Sequence, residues 1–271
     1  MTYEKDYLLA LRPFPENPTS LLGQHWHEIV ISFAFYEALY FVSPLICRTI
    51  FGDLYSKDRS KKEKINFDIH VVSMVQALAS LVLCVPMFYH PLYFSGAVFG
   101  STPYGGLVAS LTVGYFIWDL VVCVQHYSLF GFGFLLHAVA ALYVFLMTFM
   151  PFMQPHIPSF LIFELSTPFV NVNWYCSRLP TGSVPNKLIL INGLLLMISF
   201  FTVRILWGFY AAVNSFLLCL KVWDQLPVWL PVSIFSLNIA LDCLNLLWFY
   251  KMVLIAKKKA RGAKSSKPKE Q

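Results

Sequence analysis

Seven stretches of about twenty mostly apolar residues run along the chain, divided by short polar segments. They lie at roughly 29–51, 69–89, 106–124, 132–152, 157–175, 188–213 and 228–253. An α-helix rising about 1.5 Å per residue needs about this length to cross the hydrocarbon core of a bilayer. Each stretch is therefore expected to be a transmembrane helix. The fifth is the least apolar, with Glu164, Pro168, Asn171 and Asn173 inside it. The sixth stays apolar through Leu220, which leaves room for tilt or an interfacial extension.

Charge gives an independent check on the count. With seven spans, the 52–68, 125–131 and 177–187 loops and the C-terminal tail fall on one side, carrying fifteen of the twenty Lys and Arg. The N-terminal segment and the 90–105, 153–156 and 214–227 loops carry three, namely Lys5, Arg12 and Lys221. Removing one span would put the two largest basic clusters on opposite faces. The positive-inside rule then predicts a lumenal or outside N-terminus and a cytosolic C-terminus. Residues 1–28 become a lumenal N-terminal segment, and 256–271 a basic, disordered cytosolic tail.

Composition narrows the class further. Hydrophobic residues make up 58% of the 271, charged residues 13%, and the mean hydropathy is +0.63. Soluble domains run near 45–50% apolar and about 25% charged, so a soluble enzyme and a disordered protein are both excluded. The net charge of +6 is explained by membrane orientation and calls for no nucleic acid. The six cysteines include no C-x-x-C pair and suggest neither a disulfide framework nor a zinc site. No n-region followed by an apolar h-region opens the chain, so no cleaved signal peptide is expected. The one N-x-T sequence, Asn17-Pro18-Thr19, carries the forbidden proline. Lys267-Pro268-Lys269-Glu270-Gln271 resembles a K-x-K-x-x dilysine retrieval signal of endoplasmic reticulum membrane proteins, making coat proteins candidate partners through Lys267 and Lys269.

Charges at mid-bilayer cost about 2.5–3.5 kcal/mol each on the insertion scale, so those retained need a structural or functional partner. The intramembrane set is Glu37, Asp119, His137, Glu164, Arg204 and Asp242, with the amides Gln76, Asn171, Asn173, Asn238 and Asn245 nearby. Asp119 closes the third span and His137 opens the fourth, so antiparallel packing would bring carboxylate and imidazole to one level. That pair is the candidate base and its orienting group. Glu164 and Arg204 are expected to pair between the fifth and sixth spans. Asn238, Asp242 and Asn245, at i, i+4 and i+7, share one face that must look into the bundle. His25, His27, His126 and His156 lie in the N-terminal segment and short loops, and no metal site is expected from them.

Together these residues resemble a known family. Phe163-Glu164-Leu165-Ser166-Thr167-Pro168-Phe169-Val170-Asn171-Val172-Asn173-Trp174 is similar to the most distinctive motif of the TLC-domain proteins. That family groups ceramide synthases, the translocating-chain-associating membrane protein and lipid-homeostasis relatives. Supporting segments follow in the family's order: Gly114 to Asp119, Leu135-Leu136-His137, Phe200 to Ile205 and Leu244 to Met252. The resemblance implies an all-α polytopic membrane protein with a six-helix TLC core over 65–255, preceded by one extra helix at 29–51. It also implies a lipid-sized cavity opening toward the cytosolic leaflet. Glu164, Asn171, Asn173, Arg204, Asp242, Asn245 and Gln76 are the candidate polar residues of that cavity. Ceramide synthases carry two adjacent histidines where this chain has His137-Ala138. Their Ser-x-x-His in the second span reads Ser73-Met74-Val75-Gln76 here.

Three functions are therefore weighed. The first is an endoplasmic reticulum protein that binds membrane lipids and contributes to lipid homeostasis, without a cofactor. The second is an acyl-CoA-dependent lipid acyltransferase using His137 and Asp119, with acyl-CoA as co-substrate. The third is an accessory factor in membrane-protein insertion or trafficking.

Overall fold

The computed structural model describes residues 5–13, 18–57 and 59–265, with side chains to Lys259. The described residues are helical or in turns, and the only β-pairing among them is an isolated bridge between Phe99 and Phe152. Among the described residues the α-helices of five residues or more are α1 (Leu21–Phe51), α2 (Lys61–Cys84), α3 (Pro103–Gln125), α4 (Tyr127–Met147), α5 (Ile157–Leu161), α6 (Thr167–Arg178), α7 (Asn186–Phe200), α8 (Trp207–Leu220) and α9 (Trp229–Ser265). A 3-10 turn, Ile162–Ser166, joins α5 to α6, and a π-helical turn, Phe201–Leu206, joins α7 to α8.

Among the described residues, six helices are long and apolar enough to cross a membrane: Leu21–Phe51, Lys61–Tyr89, Pro103–Gln125, Tyr127–Met147, Asn186–Leu220 and Trp229–Lys259. The fifth predicted span falls short of that standard because Pro158 and Pro168 break it into pieces. It nevertheless runs the height of the bundle. At its start the His156 ring meets Ser215 Oγ at 3.1 Å near the end of α8, and the Ser159 carbonyl accepts from Trp207 Nε1 at 2.8 Å. At its finish the Arg178 carbonyl accepts from Arg59 at 2.8 Å, and the Tyr175 hydroxyl donates to the Phe67 carbonyl at 2.9 Å. Ile157–Arg178 thus joins a first end, holding the 90s loop, to a second end, holding Arg59.

Local signals explain where helices begin. Ser20 caps α1 by accepting from Gly23 N at 3.1 Å, so α1 starts at Leu21 rather than near residue 29. Ser60 and Glu63 form a reciprocal capping box on α2. Thr102 caps α3 through Gly105 N at 2.9 Å. The last helix was expected to end before 256 and give way to a disordered tail; it continues to Ser265. Lys257, Lys258, Lys259 and Ala260 are strong helix formers, and basic residues near a helix C-terminus complement its dipole. The dilysine-like residues 267–271 lie outside the described residues.

The core follows aromatic packing between α1, α2, α3 and α4. Trp118 is fully buried, with Tyr36, Tyr40 and Tyr115 rings 5.8–6.5 Å away. Its indole N–H donates to Glu37 Oε2 at 3.1 Å, which gives that intramembrane acid its partner. The α1–α3 crossing is close because Gly114 has no Cβ: one would lie 2.6 Å from the Ile29 carbonyl. Ser32 Oγ donates to the Leu111 carbonyl at 2.7 Å across the same contact. A second cluster, Phe152, Met153, Cys219, Leu230 and Ile234, closes the first end. A third, Cys47, Tyr55 and Phe67 with Trp174 and Tyr175 against it, closes the second.

Candidate functional site

A cavity lies between α3, α4, α5, α8, α9 and both irregular turns. About 110 Å³ of it admits the centre of a water molecule. At about 10–15 Å³ per water in that measure, it exceeds a single-water packing defect several-fold. Its wall is largely apolar, with Phe116, Phe145, Phe160, Phe163 and Phe235 contributing. Besides the hydroxyls of Thr148 and Ser215, the polar groups come from four places: His137 on α4, Glu164 in the 3-10 turn, Arg204 in the π turn, and Asn238, Asp242 and Asn245 on α9. The i, i+4, i+7 face of the last helix does line the cavity.

The two irregular turns place the charged pair. Prolines at 158 and 168 flank the 3-10 turn, and the tighter winding aims Glu164 inward from a segment too polar for an unbroken span. The π turn holds Arg204, which is buried beneath Phe200, its guanidinium carbon 5.3 Å from the ring centre. Arg204 Nε donates to Ser166 Oγ at 2.9 Å and Nη2 to Thr167 Oγ1 at 3.1 Å. The expected Glu164–Arg204 ion pair is not formed within 4.0 Å; neutral hydroxyls hold the guanidinium instead. Both charges face the same cavity without neutralising one another by contact.

His137 presents its ring between Phe116 and Trp248, 6.1 and 5.8 Å between centres, with no hydrogen bond to Asp119. Asp119 is outside the lining, and its contact is with Cys123 Sγ at 4.0 Å, one turn along its own helix. The expected acid–imidazole couple is therefore absent: the backbone breaks at Gly131 (φ 73°), and the stretch of α4 that follows sets the His137 ring against Phe116 and Trp248 rather than against Asp119. Gln76, Asn171 and Asn173 do not line the cavity either. Gln76 Nε2 donates to Ser80 Oγ at 2.8 Å, and Asn171 Nδ2 reaches Ser73 Oγ at 3.2 Å, tying α6 to α2. Below them His70 stacks on Trp174 at 3.9 Å, with Arg178 over the same indole at 5.5 Å. This layer belongs to the second end. The cavity lining extends to Thr148, Met153 and Ser215 toward the first end.

The sequence reading also missed a group outside the cavity. Asp6, His25 and Glu28 bring one ligand-type atom each within 4.8 Å of one another. The missed signal was the early start of α1, which puts His25 and Glu28 one turn apart on a helix.

The model of the family described as the TLC domain matches residues 66–254. The chain belongs to the TLC-domain family. This TLC protein is 43% identical to Topoisomerase I damage affected protein 4 of Saccharomyces cerevisiae over 258 residues, 94% of this chain and 92% of the relative. An uncharacterised TLC domain-containing protein of Schizosaccharomyces pombe is 35% identical, covering 91% of this chain and 84% of its own length. TLC domain-containing protein 4 of Homo sapiens is 27% identical, covering 81% and 84% respectively. No solved structure matches. The TLC match takes in α2 through α9 up to Leu254 and omits α1.

Proposed function

We propose that this TLC protein binds a membrane lipid in the α4–α9 cavity and contributes to lipid homeostasis in the endoplasmic reticulum membrane. The observation that carries the reading is the make-up of the cavity lining, in which a phenylalanine-rich wall is combined with His137, Glu164, Arg204, Asp242 and Asn245. Ligand sites are mostly apolar with a few convergent polar groups, and an amphiphile presents both surfaces at once. The chain runs along the aromatic wall and the headgroup meets the polar cluster. The fifteen Lys and Arg that the seven-span count assigns to one side support a cytosolic placement of that side and of the C-terminus, with the N-terminus lumenal. The K-x-K-x-x pattern at 267–271 supports the compartment and coat proteins as partners.

The test is mass spectrometry of lipids co-purified with the full chain. A defined lipid enriched over the bulk membrane, and lost in Asp242→Asn and Arg204→Ala, is expected. Protein carrying only bulk lipid, with the variants indistinguishable from it, sinks the reading.

One observation favours a second reading, lipid acyl transfer: His137 stands in the cavity wall, where an imidazole can act as base on a bound hydroxyl or amine. Acyl transfer from acyl-CoA by purified protein, abolished in His137→Ala and retained in Asp119→Asn, is its expected signature. An equal loss in both variants would restore the sequence-derived pair.

A further inference from the structure

The N-terminal segment folds back onto α1 and α3 at the first end and buries three donors there. Their side chains are almost wholly enclosed: 1% exposed for Asp6, 3% for His25 and 0% for Glu28. His25 Nδ1 stands 3.1 Å from Glu28 Oε2 and 3.6 Å from Asp6 Oδ2. Two carboxylate oxygens remain without a hydrogen bond in this enclosure, Asp6 Oδ2 and Glu28 Oε1. The first is within ion-pair range of His25 but beyond hydrogen-bond range; the second lies 3.8 Å from His27 Nε2, which is itself bonded to the Leu8 carbonyl at 3.0 Å.

Two carboxylates are enclosed beside His25 while His27 is held by the Leu8 carbonyl, so Asp6 Oδ2 and Glu28 Oε1 are buried acceptors left without a donor. A single divalent cation balances both. The spacing suits it as well. Donors about 2.0–2.1 Å from a tetrahedral ion stand roughly 3.3 Å apart, between the two measured His25 separations. The supporting contacts orient each donor. Asp6 Oδ1 accepts from Leu8 N at 2.9 Å, which turns Oδ2 inward. The His25 ring lies against Gly106 of α3, where a Cβ would meet ring Cε1 at 2.6 Å, and Phe149 flanks it at 6.3 Å. That backing fixes the ring with Nδ1 toward the carboxylates, as outer contacts do for metal-bound histidines.

We infer that Asp6, His25 and Glu28 form a site for a divalent transition-metal ion, zinc being the best match to a mixed imidazole–carboxylate set. The ion clips the N-terminal segment to α1, and the three protein donors leave a fourth position for water or for the second Glu28 oxygen. The site lies apart from the lipid cavity and does not depend on the proposed lipid function.

The experiment uses the full chain in detergent, stripped with chelator, dialysed against zinc and assayed by elemental mass spectrometry, with thermal unfolding followed in parallel. About one zinc per chain is expected in wild type. Asp6→Asn and Glu28→Gln should each weaken zinc binding at least tenfold and remove the zinc-dependent rise in melting temperature. Asp6 lies outside every membrane-crossing helix, so its variant keeps the test informative should the Glu28 variant misfold. Wild type that takes up no zinc above a buffer blank overturns the site. So does zinc that stays bound, one per chain, in both variants.

Discussion

At the scale of single residues, the polar side chains inside the bundle divide into those with a neighbour and those facing a space. Glu37 answers Trp118, Asn171 answers Ser73 and Gln76 answers Ser80. Such bonds fix how helices meet, and nothing in a sequence distinguishes them from ligand-facing groups of the same type. Hydrophobic periodicity did identify the α9 face, because Asn238, Asp242 and Asn245 repeat with the helix. Arg204 differs: its partners are hydroxyls, and it keeps donor capacity toward the cavity. Arg204→Lys should therefore lose most co-purified lipid even though charge is retained, because an ammonium cannot span Ser166 and Thr167 together. Quantifying bound lipid per chain for wild type, lysine and alanine variants checks this, and lipid held equally by lysine would show that charge alone suffices. Gly114 gives a packing counterpart. Gly114→Val forces α1 from α3 and should cost about 1–3 kcal/mol, read as a lower melting midpoint in detergent. An unchanged midpoint would mean that the two helices separate freely.

At the scale of elements, the irregular turns matter more than the regular helices. The apolar windows made six spans legible, since length and hydropathy are properties of the chain itself. The start of α1 was not legible because His25, His27 and Glu28 read as loop residues; they are enclosed by tertiary contacts that hydropathy cannot see. The π turn at 201–206 left no mark in the sequence, being a change of winding without a breaker residue. The fifth span was legible as weak, and its prolines are the reason. Its crossing can be tested by placing single cysteines at exposed positions: Ser56→Cys, Ser95→Cys and Ser183→Cys. With an impermeant thiol reagent on sealed vesicles, Ser183→Cys should label together with Ser56→Cys and from the face opposite Ser95→Cys. Labelling of positions 183 and 95 from one face would make Ile157–Arg178 a re-entrant segment and reduce the crossings to six.

At the scale of the whole molecule, α1 stands outside the matched TLC domain yet behaves as part of its core. The TLC match begins at residue 66, and the sequence reading treated 29–51 as an added helix. In the structure Ser32 bonds the α3 backbone, Glu37 holds the indole of the fully buried Trp118, and Ile29 and Ser32 fill the groove over Gly114. Removing α1 would leave Trp118 N–H without its acceptor and open the α3 face to lipid, a surface shaped for a helix rather than for acyl chains. An unsatisfied donor in hydrocarbon costs several kcal/mol, because no water is present to replace the lost partner. A chain lacking residues 1–57 should therefore accumulate at much lower abundance than the full chain and carry no specific lipid. Co-expression of 1–57 as a separate peptide should restore both, since the contact needs the helix and not the connecting loop. Abundance measured by immunoblot at equal transcript level, with bound lipid measured on the purified fraction, separates the outcomes. Normal accumulation of the truncated chain with its lipid intact would make 66–254 the autonomous unit and α1 an accessory.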